Sequence, residues 1–131
     1  MKHVTIAAIG LLITALPAFA HHPFESEFDA KAPIMLEGKI TALEWQDPHV
    51  IIKMEAKDDK GAMKTWDLEA ASPADMMKMG WTEAMLKTGE QITVHGYKAK
   101  AATSSVAAAR VIDLPNGKKI SSAGNDGGPK T

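Results

Sequence analysis

"IMLEGKITALEW", residues 34–45, decides the fold. Leu36, Ile40 and Ala42 fall on one face of an alternating run and Glu37, Lys39 and Thr41 on the other, the period of a half-buried strand. Gly38 inside the run marks a bulge or a sharp coil, because a residue without a side chain weakens a straight strand. Leu43 and Trp45 then take the opposite parity, and one bulge reconciles the two halves. The stretch therefore predicts a long, bent first strand.

Working outward, "QDPH" at 46–49 is a turn, with Asp47 able to accept from the backbone and Pro48 fixing φ. "VIIKMEA" follows as a second strand with Val50, Ile52, Met54 and Ala56 on the core face, and "KDDKGA" turns the chain into "MKTWDLEA". In that third strand Trp66, Leu68 and Ala70 alternate with Thr65, Asp67 and Glu69. Helix signals then coincide: Ser72 as N-cap, Pro73 at the first helical position, Asp75 two residues on, and Gly80 after Met79. A second short turn runs from Trp81 to Leu86 and ends at Gly89. "EQITVHGYKA" is a fourth strand with Ile92 and Val94 inward and Thr93, His95 and Tyr97 outward. A small-residue loop, "KAATSSVAA", leads to a fifth strand in "RVIDL", and "PNGK" at 115–118 opens a terminal hairpin ending at Ile120. The order of elements predicts a mainly β domain, a small five-stranded OB-like Greek-key barrel with a short helix between strands 3 and 4. An open meander sheet on one helix is the competing architecture.

The ends of the chain set its context. Residues 1–20 read as a secretory signal: Lys2 is the positive n-region, Val4 to Leu16 the apolar stretch, and Ala18-Phe19-Ala20 the cleavage pattern. That apolar stretch is shorter than the roughly 20 residues a membrane-spanning helix needs, so no span is expected after cleavage. Residues 21–33 form an N-terminal leader carrying Phe24 and Phe28 and ended by Pro33; residues 34–120 form the barrel domain; residues 121–131 are a disordered tail. The expected localisation is periplasmic or secreted. There is no cysteine, so the exported domain has no disulfide and must rely on its core. The formal net charge of −1, with signs interspersed, leaves no basic stripe for nucleic acid or anionic lipid.

Taken in order, "HHPFESEFD", "EGKITALEWQDPH", "GW", "GEQITVHGYKA" and "LPNGKK" resemble a group of small exported bacterial proteins that form an uncharacterised family. Its members open with His-His-x-Phe after the signal. Where that pattern usually has Asn-Pro-His before the second strand, this chain has Asp47-Pro48-His49. The resemblance covers nearly the whole mature chain and implies an OB-like barrel in the periplasm or outside the cell. It implies no activity, and the fold alone implies none either.

The residues that could carry chemistry are few. A mature chain beginning at His21 would offer its α-amine and its own imidazole as a chelating pair, with His22 adding a nitrogen and His49 or His95 able to close the site. Imidazole suits copper, zinc and nickel ions. The amine, with an ordinary pKa of roughly 7.7 to 8.0, must lose a proton to bind, so affinity would weaken in acid. The metal reading thus rests on His21, His22 and His49, with copper or zinc as the cofactor; a solvated polar leader is the alternative. Asp47 could orient the His49 ring. A second set, Trp45, Asp47, His49, His95 and Tyr97, could form a face that docks an envelope protein, a peptide, a glycan or a small ligand.

Other groups read as structural. Met76, Met77, Met79 and Met85 suit the apolar end of a barrel better than a cuprous site, and Trp66 and Trp81 read as core. Asp67 and Glu69 share an outer strand face of the kind normally solvated. With no cysteine nucleophile, no Gly-x-Ser-x-Gly elbow and no phosphate-binding glycine loop, the sequence favours a non-enzymatic binding or accessory module.

Overall fold

The computed structural model describes residues 22–131. The expected signal segment and His21 lie outside the described residues. A one-turn helix, α1 (Phe24–Glu27), leads directly into β1 (Phe28–Glu44), which is followed by β2 (Ile51–Lys57), β3 (Met63–Glu69) and α2 (Pro73–Lys78). A 3-10 turn (Glu83–Met85), β4 (Gln91–Ala99), β5 (Val106–Asp113) and β6 (Lys119–Ser121) complete the chain.

The strands form one six-stranded sheet in the order β3-β2-β1-β4-β5-β6. The N-terminal part of β1 pairs with β4 and its C-terminal part with β2, overlapping at Gly38 and Lys39. Its register against β2 slips between Ile40 and Ala42, at Thr41, which is the bulge that the parity change in the sequence requires. The pairing that turns the sheet back on itself is β3 with β5, which is parallel where the other pairings among the described residues are antiparallel, and in it Leu68 faces Ala107 and Glu69 faces Ala108. A methyl group at Gly96 would overlap the carbonyl oxygen of Ala108, so glycine there is what permits β4 and β5 to approach.

Three expectations need correction. The sheet has six strands and not five, because "PNGK" completes its hairpin and β6 pairs with β5 through Ile112 and Ile120. Pro33 does not end the leader; β1 already begins at Phe28, and its register against β4 shifts between Phe28 and Pro33 before Pro33 pairs with Tyr97. The supposed loop through Ala108 is already strand from Val106, since Ala107, Ala108 and Ala109 are small enough to be buried where β5 lies between β4 and β3.

The core is built from the inward parities of all the long strands: Leu36, Ile40, Ile52, Met54, Leu68, Ile92, Val94 and Ile112 are all buried. Each such aliphatic side chain contributes about 1.5–3 kcal/mol by leaving water. Met76 of α2 and Trp81 plug this core, and the Trp81 indole donates to the Ser121 carbonyl at 2.7 Å. Ser72 caps α2 by accepting from the Asp75 amide at 3.2 Å, and Gly80 follows it with φ +100°, where a side chain would strain the backbone. Phe24, Phe28 and Ala108 form a second, smaller cluster, flanked by Tyr97, Ala99 and Val106.

The C-terminal stretch after β6 is laid against the domain. Ser122 and Ala123 are buried, the Ala71 amide donates to the Ser122 carbonyl, and the Ser122 amide donates to the Arg110 carbonyl. Composition pointed to a disordered tail because Gly, Ser and Asn carry little apolar surface. These contacts are instead made by the backbone, which composition does not reveal. Among the described residues, no helix is long and apolar enough to cross a membrane.

Candidate metal centre

Three residues from distant parts of the chain meet at the end of the β2–β3 hairpin. His49 stands just before β2, Glu69 ends β3, and His22 comes from the leader. The hairpin pairing brings Ile51 opposite Glu69 and continues through the bonds of the Val50 amide to Ala71 and the Ala70 amide to Val50. His49 and Glu69 are thereby diagonal neighbours on the face away from the core, a separation that long side chains bridge. His22 reaches the same spot because Phe24, two residues later, is anchored in the second apolar cluster.

The ligand atoms lie within 4.8 Å of one another. Glu69 Oε1 is 3.4 Å from His22 Nε2 and 3.3 Å from His49 Nε2, and the two imidazole centroids are 5.4 Å apart. Two nitrogen or oxygen ligands on one tetrahedral ion, with bonds of about 2.0–2.2 Å, are separated by roughly 3.3 Å. A charge-assisted hydrogen bond is shorter, about 2.7–2.9 Å. Both contacts to Glu69 are thus longer than a strong hydrogen bond and within the span of two ligands on one ion.

The ring of His49 is oriented by the main chain. Its Nδ1 lies 3.0 Å from the Ala70 carbonyl oxygen, which can only accept, so Nδ1 carries a proton and Nε2 is the nitrogen turned toward Glu69, able to give an electron pair when it is itself unprotonated. The Ala70 carbonyl thus orients this ring. Burial pushes the Glu69 carboxyl above its ordinary range; the charge of His49 opposes the shift, Glu27 adds to it, and His22 opposes it. A carboxylate raised in this way gains from a cation placed beside it. The side chains of His49 and Glu69 are 14% and 15% exposed while that of His22 is 44% exposed, so the site is walled on the sheet side and open on the leader side. Next to it, a cavity of about 210 Å³ is bordered by His49, Ser72, Asp75, Asn125 and Asp126.

The residues expected to form a docking face are placed separately. His95 Nε2 pairs with the Asp113 carboxylate at 3.1 Å, and the Tyr97 hydroxyl donates to the Thr131 carbonyl at 2.6 Å. Trp45 packs partly against the core, and Asp47 lies in the exposed turn before Pro48. His22 and His49 are brought together, His95 is not in their group, and Glu69 is the member that sequence reasoning passed over. The signal was present: Glu69 and His49 share the outer parity of paired strands two positions out of register.

With this geometry in view, the comparison with known families is short. Residues 8–108 match the family of unknown function DUF6152, and the chain belongs to that family. Neither a curated protein nor a solved structure matches it.

Proposed function

We propose that this chain is an exported, non-enzymatic accessory module that holds one divalent transition-metal ion, copper or zinc, at His22, His49 and Glu69, with the amine and imidazole of a processed His21 completing the ligand set. The observation that carries the reading is the convergence of two imidazole nitrogens and one partly buried carboxylate at ligand-to-ligand spacing. Export rests on the signal pattern of residues 1–20, which also sets the first residue of the mature chain. The architecture is proposed as OB-like, supported by the parallel contact of β3 with β5 and by the helix between β3 and β4. In this scheme the sheet supplies two rigid ligands and the leader brings the rest.

Calorimetric titration with Cu(II) and Zn(II) tests the proposal on four chains: one starting at native His21, one with an extra methionine ahead of it, His49→Ala and Glu69→Gln. The native chain is expected to bind one ion, and each alteration to weaken binding at least about tenfold, as loss of even an outer-shell partner does at metal sites. Equal affinities in all four chains would reject the centre.

A further inference from the structure

The segment that follows β6 meets the leader at one buried arginine. Arg110 of β5 is 1% exposed. Its guanidinium makes a two-pronged pair with the Asp126 carboxylate, at 3.2 and 2.9 Å, and lies 4.5 Å from the centre of the Phe24 ring. The Phe24 amide donates to the Asp126 carbonyl at 2.9 Å, so Asp126 grips the leader through its main chain and Arg110 through its side chain. The Gly128 amide donates to the Asp126 carboxylate at 3.1 Å, and a methyl group at Gly128 would collide with the Phe24 ring, so the segment lies flat on that ring. Phe24 is also held edge-on by Tyr97, whose hydroxyl binds Thr131.

We propose that residues 124–128 form a clasp that seats His22 against His49 and Glu69, with Asp126 and Arg110 as positioning residues. This rests on the metal reading for its purpose, though the clasp itself is a matter of contacts between protein groups. Among the described residues His22 pairs with Glu27 and Glu69 and meets the His49 ring, and its side chain is nearly half exposed, whereas Phe24 two residues on is buried. A bidentate arginine–carboxylate pair with a stacked ring gives a defined orientation that a flexible ammonium would not. The leader's Phe24 is thus the fulcrum, and the C-terminal segment sets where the histidine before it can reach.

The test uses the chain starting at native His21, the Asp126→Asn variant, and a chain ending at Ala123, each first shown to be folded by thermal unfolding. In the metal-free proteins, the Phe24 amide is expected to be protected from hydrogen exchange in the unaltered chain and to lose that protection in both variants. Nuclear Overhauser contacts between the His22 and His49 rings should disappear with it. With Cu(II) added, both variants should bind about tenfold or more weakly, and their electron paramagnetic resonance spectra should lose the nitrogen couplings assigned to His22. Retained protection and retained ring contacts in both variants would overturn the clasp. Should the unaltered chain bind neither Cu(II) nor Zn(II), the metal reading fails, and the metal-free measurements still decide the clasp either way.

Discussion

At the scale of single residues, Glu69 carries a cost of burial that His49 and His22 offset in part. Burial raises its carboxyl above the ordinary range, so in the metal-free chain ionising Glu69 opposes folding. The stability it would contribute is full below the unfolded carboxyl's pKa and is lost as pH rises through the raised folded value. Glu69→Gln removes that loss while keeping the shape. Without metal, this variant is expected to melt at a higher temperature than the parent at neutral pH, with the difference vanishing in acid; with a saturating metal the order should reverse. Melting curves at two pH values, with and without Zn(II), check this, and a variant less stable under every condition would contradict it. The same residue shows what sequence could and could not disclose. Its parity beside Asp67 was plain, and outer-face acids on a strand are usually solvated. What made Glu69 different was the leader folding over it, a contact between positions nearly fifty residues apart that no local pattern encodes.

At the scale of elements, the reading of strands from alternation was sound wherever one face is buried. β2 and β3 keep their inward residues Ile52, Met54, Ala56, Trp66 and Leu68 buried, as is Val50 just before β2, and the break in parity of β1 is a bulge at Thr41. Legibility failed at β5, where Ala107, Ala108 and Ala109 alternate with nothing and are buried in succession because the strand is paired on both edges. Alanine runs signal neither period. The close approach of β4 and β5 at Gly96 gives a sharp expectation: Gly96→Ala must push the two strands apart and should destabilise the domain by about 1–3 kcal/mol, the usual range for an overpacked site. Chemical denaturation measures it. An unchanged midpoint would mean that the strands separate there without cost.

At the scale of the whole molecule, the beginning and end of the described chain are interlocked, and the interlock is sensitive to acid. Burial alone would raise the Asp126 carboxyl, but its hydrogen bond from Arg110, that from the Gly128 amide and the charge of Arg110 hold it below the ordinary range. The clasp therefore contributes stability that is present above the unfolded carboxyl's pKa and lost as pH falls through the depressed folded one. Hydrogen exchange of the Phe24 amide, followed as pH is lowered, should quicken in that acidic window beyond the chemical trend of exchange itself, while the amides of β2 and β3 keep theirs. Protection of Phe24 that persisted below that window would argue against the ion pair as its source.

Because Phe24 rests on Ala108, Arg110, Asp126 and Gly128, the residue that steers the leader finds its seat only where β5 and the segment after β6 have come together. The leader therefore latches only once that segment is in place. Assembly of the three-residue cluster is thereby tied to a distant stretch of chain: a fragment cut before Asp126 would keep His49 beside Glu69 and lose the seat that brings His22 to them.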